Sequence, residues 1–185
     1  MVCVPGYGSL HWPVVNIRET IPADLESALW LNNSSVPELN ELDRPEIARL
    51  VDESVISLTA EVDGSFAGFC VLFAPGAPYQ SLNYQWFSRT YDDFVYLDRI
   101  AVHPDFRRYG VGRSFYAHVV ERFTGEFPLL CCEVNVRPRN DASLVFHHSI
   151  GFREVAQQDT DGGKKTVSLL ALPLPLPLPL TPAAG

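Results

Sequence analysis

Six consecutive residues, Arg107-Arg108-Tyr109-Gly110-Val111-Gly112, join the charge of an anion site to the backbone freedom needed to build one. Gly110 and Gly112 have no Cβ, so a bound group can approach to hydrogen-bonding distance of the amides. The apolar periodicity that follows, through Val120, predicts that these amides open a helix. There the first N–H groups have no internal partner and the macrodipole favours negative charge. The expected ligand is a pyrophosphate. Two carboxylates are candidate bases: Asp98 in YLDRIAV and Glu133 in LLCCEVNV. A carboxylate inside an apolar strand costs free energy unless it is paired or used. Strand alternation puts Asp98 on one face with Tyr96 and Ile100 and ranks it first; salt bridges to Arg99 or Arg137 are the structural alternatives. His147, with an ordinary pKa of about 6.5, is a candidate proton donor or a packed ring bonded to a carbonyl. His148 faces elsewhere on the helix and is given no role.

The elements that would position these groups follow from periodicity and punctuation. A strand is expected over residues 14–19, then a helix opening at Ile21-Pro22-Ala23-Asp24 with Leu25, Ala28, Leu29 and Leu31 or Asn32 inward. Asn32 and Asn33 either face a ligand or simply begin the turn-prone run up to Pro37. Asp43-Arg44-Pro45-Glu46 starts a second helix. Residues 56–62 and 66–73 form a hairpin about Asp63-Gly64. Residues 74–93 read as a long aromatic loop holding Tyr79, Tyr84, Trp86, Phe87 and Tyr91; these rings wall a pocket, cover the sheet edge or meet a second subunit. A strand over 129–136, a helix over 142–149 ending at Gly151, and strands over 152–157 and 166–172 complete the pattern.

The spacing Arg-x-x-Gly-x-Gly between strand and helix resembles the cofactor-binding motif A of the GNAT acyltransferase superfamily. Asn140-x-x-Ser143-x-x-Phe146-His147-x-x-x-Gly151-Phe152 resembles its second cofactor segment, and Trp86-Phe87 with Asp98-Arg99-Ile100 resembles one subgroup of predicted members. The resemblance covers roughly residues 14 to 172. It implies a mixed α/β (α+β) GNAT fold, a mostly antiparallel twisted sheet of six to seven strands with about four helices, and transfer of an acetyl group from acetyl-CoA to a primary amine. It puts the pyrophosphate on Arg107, Arg108, Tyr109, Gly110, Val111, Gly112 and Arg113, and the pantetheine arm along Ile100, Ala101 and Val102. Asn140, Ser143 and Phe146 line the same channel, and Tyr84, Trp86, Phe87 and Asn32 are the acceptor-side candidates. At 147 the family commonly has a tyrosine, so the histidine keeps a second reading open, an acyl-CoA-binding module without turnover. Dimers are common in the family, which makes a homodimer an expectation by analogy.

Composition narrows the classes. One domain is expected over 13–172, with a loosely held leader (1–12) and a disordered Leu/Pro tail (173–185). Fourteen basic and 22 acidic residues leave a net charge of −8, which argues against a nucleic-acid partner. Cys3, Cys70, Cys131 and Cys132 lack metal-site spacing and read as free thiols in a reducing compartment. No metal is expected. No apolar run is long enough to span a bilayer, so a cytoplasmic protein is the default. A dinucleotide oxidoreductase is disfavoured because Gly-x-Gly-x-x-Gly is missing.

Overall fold

Seven strands pair into one sheet in the order β1-β2-β3-β4-β5-β7-β6, in a computed structural model that describes residues 14–175. The expected leader, with Cys3, and the tail beyond residue 175 lie outside the described residues. In chain order the elements are β1 (Val15–Glu19), α1 (Leu25–Asn33), α2 (Arg44–Glu53), β2 (Ile56–Val62), β3 (Ser65–Phe73), α3 (Leu82–Thr90), β4 (Val95–Val102), α4 (Val111–Phe123), β5 (Leu129–Arg137), α5 (Asp141–Ile150), β6 (Arg153–Thr160) and β7 (Lys165–Pro173). All pairs are antiparallel except β4–β5, which α4 joins as a crossover. At the C-terminal boundary expected at 172, β7 continues to Pro173, and the amide of Leu174 donates to the Pro128 carbonyl at 2.8 Å.

Local sequence accounts for most boundaries. Asp43 and Glu46 form a reciprocal capping box: Glu46 N–H donates to Asp43 Oδ1 at 2.8 Å, and Asp43 N–H donates to Glu46 Oε2 at 2.7 Å. Two of the orphan donors at the start of α2 are thereby satisfied. The difference from the sequence expectation lies in residues 74–93, which contain a helix. Ser81 caps it, accepting from Tyr84 N–H at 3.4 Å, and no glycine or proline interrupts residues 82–90. Tyr84 and Phe87, three apart, are its buried face.

The sheet divides two apolar layers. On one side α4 and α5 cover Cys70, Leu72, Val95, Leu97, Leu130 and Cys132. On the other, α1, α2 and α3 cover Phe69, Val71, Phe73, Tyr96 and Cys131. Cys70, Cys131 and Cys132 are buried free thiols, and burial pushes each above its ordinary pKa.

Two irregularities in β4 open the sheet. Val71 pairs with Arg99 but Leu72 pairs with Leu97, so Asp98 is an extra residue, a β-bulge. Before the bulge Tyr96 faces the α1–α3 layer; after it Ala101 does, while Ile100 packs with the α4–α5 layer. The expectation that Tyr96, Asp98 and Ile100 share a face is thus corrected, because the bulge inverts the alternation between them. In addition, β4 and β5 pair only at Val95↔Leu130 and Tyr96↔Cys131. Beyond these positions the strands part, leaving the β5-facing side of β4 without a strand partner.

Candidate active site

The fork between β4 and β5 opens into a cleft of about 810 Å³ that reaches both helical layers. Leu97 through Val102 and Glu133 through Asn135 form its walls, so Ile100, Ala101 and Val102 lie along it as expected. Arg107, Asn140, Ser143 and His147 line one end; Tyr79, Asn83, Glu38 and Lys165 line the other.

At the first end the chain turns sharply into α4. Arg108 and Gly110 both have positive φ, 69° and 85°, and Ser114 N–H to Gly110 O at 2.9 Å is the first helical bond. The amides of Val111, Gly112 and Arg113 therefore precede the internal ladder. A Cβ on Gly110 would meet no protein atom within 4 Å, so the space over the turn is free for a ligand. Arg107 and Arg108 are exposed beside it. Cradle, charge and open space fit a pyrophosphate.

The two glycines do different work, however. A Cβ on Gly112 would stand 3.1 Å from Phe146 Cζ, so Gly112 admits the Phe146 ring against α4. Phe146 accordingly leaves the expected channel: it packs between the helices, 5.8 Å from the Tyr116 ring, with the Arg113 guanidinium 5.9 Å from its centroid. Arg113 also donates to Ser149 Oγ at 3.1 Å. The Val111 side chain is in the core, and Tyr109 is half-exposed against Phe106. Asn140 caps α5 through Oδ1, which accepts from Ser143 N–H at 3.1 Å, leaving its amide nitrogen for the cleft.

His147 is buried and both ring nitrogens are engaged. Nδ1 lies 2.7 Å from the Ser143 carbonyl oxygen, which can only accept, so Nδ1 carries the proton. Nε2 then accepts from Tyr116 O–H at 2.6 Å. Burial holds the imidazole below its ordinary pKa, which keeps it neutral. This arrangement is a correction to the proton-donor reading: the ring fastens α4 to α5 instead.

Asp98 is likewise committed. Arg99 Nε donates to its Oδ2 at 2.7 Å and the Tyr79 hydroxyl donates to Oδ1. Arg99 in turn donates through Nη1 to Asn32 Oδ1 at 2.9 Å, while Asn32 Nδ2 donates to the Asn40 carbonyl at 2.9 Å. Asn32 is fully buried and anchors Arg99, and it does not reach the cleft. Tyr84 and Phe87 are internal; Tyr84 O–H donates to the Ala74 carbonyl at 2.7 Å. Trp86 packs edge-on against Phe87. These three rings build the α3 core and do not line the cleft.

Glu133 stands differently. It is half-buried on the cleft floor, and its one protein hydrogen bond at close range is from Tyr96 O–H to Oε2, at 2.6 Å. Desolvation, reinforced by the Asp98 charge, pushes its pKa up to about 8, against the opposing hydrogen bonds of Tyr96 and Asn83. A carboxylate so placed holds or releases a proton near neutrality. Sequence reasoning missed Asn83 and Tyr116; it named Arg99 as a salt-bridge partner of Asp98, which it is, and Tyr79 only as one ring of the 74–93 segment. Arg99 carried a signal, a cation inside an apolar strand; the others depend on a helix and a bulge that periodicity does not reveal.

Residues 23–152 match the model of the Acetyltransferase (GNAT) family, and the chain belongs to that family. It is 29% identical over 85 residues to the [ribosomal protein bS18]-alanine N-acetyltransferase of Escherichia coli, a match spanning 44% of this chain and 57% of that protein. The chain thus spans little more than half the length of this curated relative. The crystal structure of the E. coli ribosomal-protein-S18-alanine N-acetyltransferase superposes with a TM-score of 0.66 at 21% identity, covering 86% of this chain and 94% of that one. The Salmonella typhimurium protein yncA, solved with its cofactor acetyl-CoA, superposes at 0.64 with 20% identity, over 92% and 99% of the two chains. Both share this fold. Among the described residues, no helix is long and apolar enough to cross a membrane.

Proposed function

We propose that this chain is an N-acetyltransferase that moves an acetyl group from acetyl-CoA to the primary amine of a small molecule or peptide, with Glu133 as general base. The observation that carries this reading is a carboxylate of raised pKa at the fork of β4 and β5, in a cleft lined at its other end by Arg107, where the turn into α4 begins. When bound, acetyl-CoA supplies the acetyl group as a thioester. The amides of Gly110 through Arg113 hold its pyrophosphate, and the unpaired edge of β4 at Ile100 and Val102 takes its arm, so that reactants meet at a fixed distance. An amine is an ammonium ion at neutral pH and cannot attack until it loses a proton; ionised Glu133 accepts that proton. Asp98, saturated by Arg99 and Tyr79, acts on Glu133 through its charge. The named relative is a [ribosomal protein bS18]-alanine N-acetyltransferase, so a peptide with a free N-terminal alanine is the first acceptor to try. Free buried thiols support a cytoplasmic setting, and the net charge of −8 makes nucleic acid an unfavoured partner.

The engagement of His147 by Tyr116 favours a second reading, an acyl-CoA-binding module without turnover. Calorimetry with acetyl-CoA on the wild type and on Gly110→Glu, followed by release of free CoA with an amine panel, separates the possibilities. Binding lost in the variant together with CoA release supports the enzyme; binding without release supports the module. A folded wild type that binds no acetyl-CoA removes both. Gly110 is the position to use, since its side chain would meet no protein atom whereas one at Gly112 would strike Phe146; because φ at Gly110 is 85°, thermal unfolding of the variant accompanies the binding measurement.

A further inference from the structure

We propose that Asn83, in the first turn of α3, is a positioning residue for Glu133, and that Gln158 of β6 holds Asn83 in place. The proposal rests on the reading of Glu133 as the base and assigns its control to the segment between β3 and β4. Asn83 is a buried polar side chain on the cleft wall. Its Oδ1 accepts from Gln158 Nε2 at 2.9 Å. With its oxygen so occupied, Asn83 has only its amide nitrogen to offer to the cleft it shares with Glu133, and a donor there favours the ionised carboxylate. A flexible glutamate becomes a directed base only if both its oxygens are held. Tyr96, from β4, holds Oε2 by its hydroxyl at 2.6 Å, and the Asn83 amide, from α3 on the same side of the sheet, is the donor assigned to the other oxygen. α3 thereby acquires a purpose beyond covering the sheet: it ties β6 to the floor of the fork.

The charged and titratable groups that face Glu133 are Tyr96, Asp98 and Arg99 from β4, with Tyr79 behind Asp98 and the Cys132 thiol beside it on its own strand. β7, the other neighbour of β5, presents Leu169 opposite. Of these partners Asp98 alone shares the sign of the glutamate. Loss of Asn83 and loss of Asp98 must therefore act in opposite directions, which a general loosening of the fold would not produce.

The test follows the Glu133 carboxyl by carbon NMR on the full chain without acceptor, its resonance assigned by Glu133→Gln. Asn83→Leu is expected to raise the titration midpoint by about half to one pH unit, the size of one lost hydrogen bond to the ionised form. Asn83→Ser, which keeps a donor, should recover part of the shift. Gln158→Leu should move the midpoint the same way by less, and Asp98→Asn should lower it. An unmoved midpoint in folded Asn83→Leu, or in Gln158→Leu and Asn83→Ser together if the leucine variant fails to fold, overturns the proposal and leaves the base reading intact. A wild-type Glu133 that titrates in the ordinary carboxylate range overturns the base reading itself.

Discussion

A half-buried glutamate with one close hydroxyl partner and a neighbouring carboxylate is a proton acceptor set for neutral to alkaline conditions. The base must be ionised to act, so kcat/KM should climb with pH through an apparent value of about 8. Glu133→Gln should abolish that limb and slow turnover about 10²–10⁴-fold; a steady-state pH series on both proteins checks it. His147 gives the contrasting case. His147→Phe strands the Tyr116 hydroxyl in the core, at a cost of about 1–3 kcal/mol. Thermal unfolding should register the loss while the shape of the pH profile stays that of the wild type, and a lost acidic or basic limb would return His147 to proton transfer. At this scale the sequence was partly legible. The glycines, Asn140 and Glu133 could be singled out by type, because a glycine or a lone carboxylate in an apolar run has few reasons to be there. The shared face on which Asp98 is ranked first is not there, since strand alternation assumes an unbroken ladder and Asp98 is itself the break.

Among the elements, the hairpin of β2 and β3, the cap of α2 and the entry to α4 were all readable, each being decided within a few neighbouring residues. α3 was not: proline and glycine at 75–78 and two aspartates at 92–93 frame it like a loop, and its buried face becomes meaningful only once the sheet exists. The rings of Tyr84, Trp86 and Phe87, which were to wall a pocket, cover the sheet edge or meet a second subunit, pack on the sheet through this helix, with Tyr84 and Phe87 as its buried face. One position reports how tightly β3 and β4 are held beside the fork. A Cβ on Gly68 would lie 2.5 Å from the Ala101 carbonyl oxygen, which is backbone and cannot rotate away. Gly68→Ala should therefore destabilise the protein by several kcal/mol, at or beyond the upper end of overpacking changes. Gly112→Ala, which meets only the edge of the Phe146 ring, should cost about 1–3 kcal/mol. Denaturant unfolding of the two variants tests the order.

In the molecule as a whole, two carboxylates make stability depend on pH with opposite signs. Asp24 accepts from Arg18, from the Ile21 amide and from Thr59, and Arg18 chiefly holds its pKa below the usual value. Its contribution is present above pH 3.8 and is lost as pH falls through the lower folded value. Glu133 is raised, so its contribution is complete below pH 4.5 and is lost as pH rises through about 8. Glu133→Gln should accordingly unfold later than the wild type at pH 9, by about 2 kcal/mol or roughly 4–8 °C, even as it loses activity; an unchanged or lower midpoint would contradict the buried charge. The fold class followed from the sequence, because two spaced motifs and a strand–helix rhythm constrain a whole chain. The acceptor end did not, being assembled from a loop, a helix and a hairpin distant in sequence. The bulge at Asp98 has one more consequence. Because β4 carries a residue its neighbour does not match, the strand changes allegiance halfway along, serving one layer with its first half's odd positions and the same layer with its second half's even ones. Were the bulge closed with every residue kept, Asp98 would take the place of Arg99 opposite Val71 and the layers would exchange beyond it, driving the Arg99 cation into the packing of α4 and turning Ile100 and Val102 toward the opposite helices; deleting Asp98 would leave every other residue on its present face. The extra residue is therefore what allows Leu97 and Ile100 to share the α4–α5 layer while Arg99 turns to Asn32 on the other side.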